Sequence, residues 1–172
     1  MRNAKGFTLI ELVVVLVVLS LLAAVAVPKF IEVTKQAEAS AVKGVLGSLR
    51  SALSLRMAQG LSTGADLSLW ASTGGTAGER LYPMDDLLLE KPETYLGIIA
   101  GSEQRGYWYD DADNHEVVYV FKNDDVISGG SGATPKKLRF RIARVDNDGV
   151  VDGPGPTAGL MLAPAQTYSW NF

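Results

Sequence analysis

Closely spaced acidic residues are the first chemistry this sequence offers. Asp146-Asn147-Asp148-Gly149-Val150-Val151-Asp152 sets carboxylates two and four residues apart, with a glycine that permits a sharp turn. Short loops of this kind supply oxygen ligands to hard cations, and an oxygen-only set suits Ca²⁺ better than a transition metal. Asp146, Asp148 and Asp152 are therefore candidate calcium ligands. The loop is incomplete, because Arg144 stands where a longer D-x-D-x-D-G pattern would start and no glutamate closes it. A solvated acidic turn is the competing reading. A second cluster, Asp110-Asp111-Ala112-Asp113-Asn114, lies between two strand-like stretches and reads as a hairpin loop rather than a metal site. His115 is the only histidine, so any Ser-His-Asp site must use it. No G-x-S-x-G accompanies it, and it reads as a surface histidine at a strand edge. Gly129–Lys137 (GGSGATPKK) lacks the Gly-Lys-Ser/Thr order of a phosphate loop. Nothing here assembles a catalytic site, so the chain reads as a non-enzyme. The absence of cysteine removes disulfides and thiolate metal sites, and leaves the redox compartment unread.

Glu11 poses a different problem. Residues 12–28 contain no charge, and residues 7–28 contain only Glu11. That run, about 22 residues and roughly 33 Å as helix, is long enough to cross a bilayer. An acidic side chain costs about 2.5–3.5 kcal/mol at the bilayer centre on insertion scales, and less near the edge. Arg2 and Lys5 precede the run, which keeps the N-terminus cytoplasmic by the positive-inside rule. Ala24-Val25-Ala26 imitates a signal-peptidase site. The apolar run is long for a signal core, however, and a helical pattern continues beyond it.

From Lys29 to about Gln59, Val42, Val45, Leu46, Leu49 and Leu53 recur at helical spacing. Lys35, Lys43, Arg50 and Arg56 lie largely off that stripe. The pattern predicts one helix of about fifty residues, apolar throughout its first half and amphipathic in its second. Pro28 falls inside it, where proline removes one backbone bond and kinks or locally opens a helix. A plain single-pass anchor with a juxtamembrane helix fits the same physics.

The net charge of −3 hides an asymmetry. Residues 29–60 hold five basic against two acidic residues, whereas residues 61–172 hold nine against sixteen. The acidic C-terminal part should repel phosphates, so nucleic acid is not an expected partner.

Residues 61–172 read as a head. Leu61–Tyr82 is a polar, glycine-rich connection with Leu69 and Trp70 as inward anchors, and a short helix is expected around Asp85–Glu90. Tyr107–Tyr109, Val117–Phe121, Leu138–Ile142, Gly159–Leu162 and Thr167–Trp170 carry strand signals. Gly129–Gly132 and Gly153–Pro156 read as turns or loops. The expected fold class is α+β: a long N-terminal helix packed on a small antiparallel β-sheet head.

Lys5-Gly6-Phe7-Thr8-Leu9-Ile10-Glu11-Leu12 resembles the class III signal of type IV prepilins and type II secretion pseudopilins. The shared elements are a short basic leader, Gly, Phe, a Glu four residues on, and an uninterrupted apolar helix. Pro28 falls where these proteins usually carry a helix proline. Val27-Pro28-Lys29-Phe30-Ile31 and the Ala/Ser-rich helix after it look most like haemagglutinin-type pilins and major pseudopilins. The strong similarity covers about residues 1–58.

The resemblance implies that a membrane prepilin peptidase cuts between Gly6 and Phe7 and methylates the new amino group of Phe7. An assembly ATPase and an inner-membrane platform protein then drive subunits from the membrane lipid into a helical filament. Glu11 pairs there with the N-terminal amine of a neighbouring subunit, since an ammonium partner offsets the cost of a carboxylate in apolar surroundings. The partners so implied are further copies of the chain and other pilin-like subunits. The location is the bacterial inner membrane, then a periplasmic or extracellular filament. The organisation is a leader over 1–6, a transmembrane or filament-core helix over 7–28, its amphipathic half over 29–60, and the head over 61–172. Major pseudopilins are known for a C-terminal calcium loop, which bears on Asp146, Asp148 and Asp152. The lack of cysteine and of a second stem proline leans toward the pseudopilin or haemagglutinin type. The alternative function is an uncleaved, membrane-anchored periplasmic binding module that uses the acidic loops.

Overall fold

The structure is a computed structural model that describes residues 6–73, 79–130 and 134–172. Arg2 and Lys5 of the basic leader, and Ser131 and Gly132 of the glycine-rich loop, lie outside the described residues. The chain divides into two compact units, Met1–Glu38 and Ala39–Phe172. One helix, α1 (Leu9–Thr63), contributes to both.

In the first unit α1 buries nothing. Leu9, Leu22, Val25 and Phe30 are all more than 60% exposed, as apolar as a core yet without one. This stretch is long and apolar enough to cross a membrane. Pro28 sits within the helix, which is assigned continuously through it.

In the second unit α1 buries Ala39, Val42, Leu46, Leu49 and Leu53. The intervals of three and four residues place all five on one face. Lys43, Arg50 and Arg56 stay exposed off that face. The helix stops at Gly64, whose φ of +72° is left-handed. Ala65 N donates to Gly60 O at 2.9 Å and Gly64 N to Leu61 O at 3.3 Å. This is a Schellman arrangement, which satisfies carbonyls that a helix end leaves open.

A five-stranded sheet packs on this face, in the order β1-β2-β3-β5-β6. The strands are β1 (Tyr95–Ile99), β2 (Trp108–Asp111), β3 (Glu116–Val120), β5 (Lys137–Asp146) and β6 (Thr157–Pro164). A separate pair joins β4 (Ile127–Gly129) to β7 (Tyr168–Trp170). Leu138, Phe140 and Ile142 point from β5 into the helix-facing core, beside Val117 and Tyr119 of β3. The alternate positions on the two strands include Arg139, Arg141 and Val118, and Val118 packs with Tyr109 and Val120 on the other face.

The structure departs from the sequence reading in several places. The edge pair β1–β2 is parallel, so the sheet is only mostly antiparallel. Residues 84–87 form turns instead of a helix. Leu67, within a short 3-10 turn, is the fully buried anchor of the connection; Leu69 is only half-buried. His115 is 3% exposed, not a surface residue.

Candidate functional site

Glu11 lies in the first turn of α1, and its carboxylate is already engaged. Thr8 N and Thr8 Oγ1 donate to Glu11 Oε2 at 3.3 and 3.2 Å. Glu11 N donates back to Thr8 Oγ1 at 3.3 Å. This reciprocal pair is a capping box, with Thr8 as the N-cap and Glu11 at the third helical position. Phe7, Leu9, Leu12 and Val15 line an open apolar hollow around the carboxylate. Gly6 and Phe7 are exposed and precede the helix. The sequence reading missed the cap, although Thr-x-x-Glu before an apolar run is its signature.

The three candidate calcium ligands have different fates. Asp146 is 6% exposed, and its Oδ1 accepts from Asp148 N at 3.0 Å and Val150 N at 2.8 Å. It shapes the turn from within. Asp152 pairs with Arg141 and accepts from Arg144 N at 3.2 Å. Burial pushes the Asp152 carboxyl up, but these bonds and the two guanidinium charges hold it below the ordinary aspartate value. Asp148 is exposed. Two of the three carboxylates are thus spent on backbone amides and arginine. Among the described residues no three acidic or histidine side chains gather as a metal site. The donor set does not fit calcium.

The second acidic cluster is structural too. Asp111 is 3% exposed and accepts from Arg139 Nη2 at 2.6 Å and Nη1 at 3.0 Å. Its other oxygen takes Asp113 N and Asn114 N, which closes the β2–β3 hairpin. Glu116 shares Arg139 at 3.2 Å, and burial raises its carboxyl. Asp110 is fully buried and accepts from Asp85 N at 2.7 Å, Tyr95 Oη at 2.8 Å and Met84 N at 3.1 Å. Burial lifts its carboxyl to about 6, and the hydrogen bonds oppose the rise. His115 stacks on Tyr82 with ring centroids 4.2 Å apart, and burial followed by the Arg80 charge lowers its pKa. None of these groups faces an open cleft in a nucleophile–base arrangement. These buried and half-buried charged side chains hold the head together.

Comparison with known proteins points to the N-terminus. Residues 1–27 match the pattern described as the prokaryotic N-terminal methylation motif. The chain is 39% identical over 86 residues to the type IV narrow pilus major component of Thermus thermophilus, covering 49% of this chain and 74% of that protein. It is 48% identical over 46 residues to the type IV wide pilus major component of the same organism, covering 27% and 35%. It is 32% identical over 101 residues to a fimbrial protein of Moraxella nonliquefaciens, covering 59% and 65%. No solved structure gives a significant match.

Proposed function

This chain belongs to the type IV pilin family, and from that premise we propose that it is a structural subunit of a type IV pilus filament. The observation that carries the proposal is the first unit. Over residues 9–28 its helix surface is apolar and exposed, and the one carboxylate there, Glu11, sits at the helix start. Such a surface is stable only against lipid or against other copies of itself, which are the two surroundings of a subunit before and after assembly.

The proposed sequence of events is as follows. The chain inserts in the inner membrane with its N-terminus cytoplasmic. A prepilin peptidase cuts the Gly6–Phe7 bond and the amino group of Phe7 is methylated. The new ammonium then stands one residue from Thr8, whose N–H the Glu11 carboxylate accepts. In the filament the Glu11 carboxylate also serves a neighbour's ammonium, which fixes the register of otherwise uniform apolar helices. Pro28 kinks or locally opens the stem helix. An assembly ATPase and a platform protein extract the subunit. The matched relatives are named as pilus components and favour a pilus over a secretion pseudopilus.

The test is the sheared-filament fraction of the native host. The proposal expects the chain as an abundant filament component there, and its loss from that fraction when the prepilin peptidase is inactivated. Retention of the whole pool in membranes, uncleaved, would support an anchored module instead.

A further inference from the structure

Apolar stem packing can hold copies together, but it specifies little about how the heads meet. In the second unit one flank of α1 carries cations and the loop beside its other flank carries carboxylates, without charge partners among the described residues. Lys43 and Arg50 are seven residues apart, hence within roughly 20° of one another and about 10 Å apart along the helix. Both are exposed. Lys43 Nζ lies 4.6 Å from the centre of the Trp170 ring, and the Arg50 guanidinium lies 5.9 Å from that of Phe140. The rings steady the two cations but do not neutralise them. Neither cation has a carboxylate partner among the described residues.

Val45 and Ser48 lie roughly 140–160° round the helix from Lys43. They border the loop that carries Leu88, Glu90 and Pro92. In that loop Lys91 is paired with Asp85 at 3.1 Å. Glu90 and Glu93 are exposed, with no cationic partner among the described residues, and Leu89 projects fully into solvent. One flank therefore offers two fixed cations, and the other offers two carboxylates beside an exposed leucine.

Different but complementary patches on one molecule make a heterologous contact, and a heterologous contact that does not close into a ring propagates as a helical filament. We propose that Lys43 and Arg50 of one subunit receive Glu90 and Glu93 of a second copy of this chain, setting the lateral register of the heads. This rests on the filament reading above. The chain's uneven charge supports it, since residues 61–172 carry seven more acidic than basic residues while residues 29–60 carry three more basic than acidic. A like-charged juxtaposition would be penalised, so the contact also selects orientation.

The test uses the full chain in its native host and reads sheared-filament yield against membrane-resident subunit. Charge reversal in K43E/R50E, or in E90K/E93K, is expected to lower the yield by about tenfold or more at unchanged subunit level. The four-fold swap that combines them is expected to restore it. A second measurement is independent of that restoration. Because the chain has no cysteine, co-expressed R50C and E90C subunits should give cross-linked dimers in filaments treated with a short bis-maleimide. Wild-type yield from either reversal, or no dimer in assembled R50C/E90C filaments, overturns the proposal. Absence of the unaltered chain from filaments would instead overturn the pilus reading itself.

Discussion

The two ends of α1 handle apolar surface in opposite ways. Before residue 34 almost every large apolar side chain is exposed, and the one carboxylate in the first 28 residues leans on its own helix start. After residue 38 the same helix buries a narrow stripe under a sheet, and the deeply buried acids all have partners within the head. The contrast separates the two tasks. The second unit buries its apolar stripe within its own fold. The first buries none of its apolar side chains among the described residues. Function in this protein follows the unsatisfied surface.

The contrast can be broken at either end, and the largest effect is expected at Glu11. Glu11→Ala should abolish filament yield while leaving the subunit in the membrane, read by immunoblot of sheared and membrane fractions. Normal yield would move the assembly determinant elsewhere. Glu11→Gln separates the two roles of the residue: it keeps an acceptor for the Thr8 cap but loses the charge, so it too should fail to assemble.

In the head, Asp111→Ala should cost about 3–5 kcal/mol, because Arg139 is left without its main partner and two hairpin amides lose their acceptor. Denaturant unfolding of the full chain in micelles reads this. Asp110 gives a pH-dependent effect. Its carboxyl titrates near 6 in the folded protein, above the usual 3.8. The folded state therefore holds the proton more tightly than the unfolded one. The resulting stability is full below about pH 4 and lost as pH rises through 6, by up to about 3 kcal/mol. Asp110→Asn should flatten that slope. The smallest effect is expected at Gly60, where a Cβ would strike the Trp70 ring. Gly60→Ala should cost about 1–2 kcal/mol, as overpacking outweighs the gain in helix propensity.

How much was legible depended on how local the cause was. The buried stripe of α1 could be read from its three-and-four spacing, and β5 from the alternation of Leu138, Phe140 and Ile142 with arginines. The turn at residues 84–87 could not. Met84, Leu87, Leu88, Leu89 and Glu90 in and just after it suit a helix, but the Asp110 carboxylate, twenty-five residues from Asp85, captures the Met84 and Asp85 amides. Strand β1 was hidden by Pro92 and by Gly97, whose φ is +93°. The 146–152 loop shows the same limit in the site. Spacing identified a carboxylate-rich turn, but whether those oxygens point outward to a cation or inward to Val150 N and Arg141 is decided by packing. The motif around Glu11 is local and was legible as a motif, although its Thr8 cap was not read.

The central claim is that the chain is processed at Gly6–Phe7 and works through the helix so exposed. The most direct measurement is the intact mass and N-terminal fragment spectrum of the protein taken from sheared filaments. The account predicts a chain that begins at N-methylated Phe7. A chain that begins at Met1, or one cut after Ala26 and therefore lacking Glu11, would contradict it.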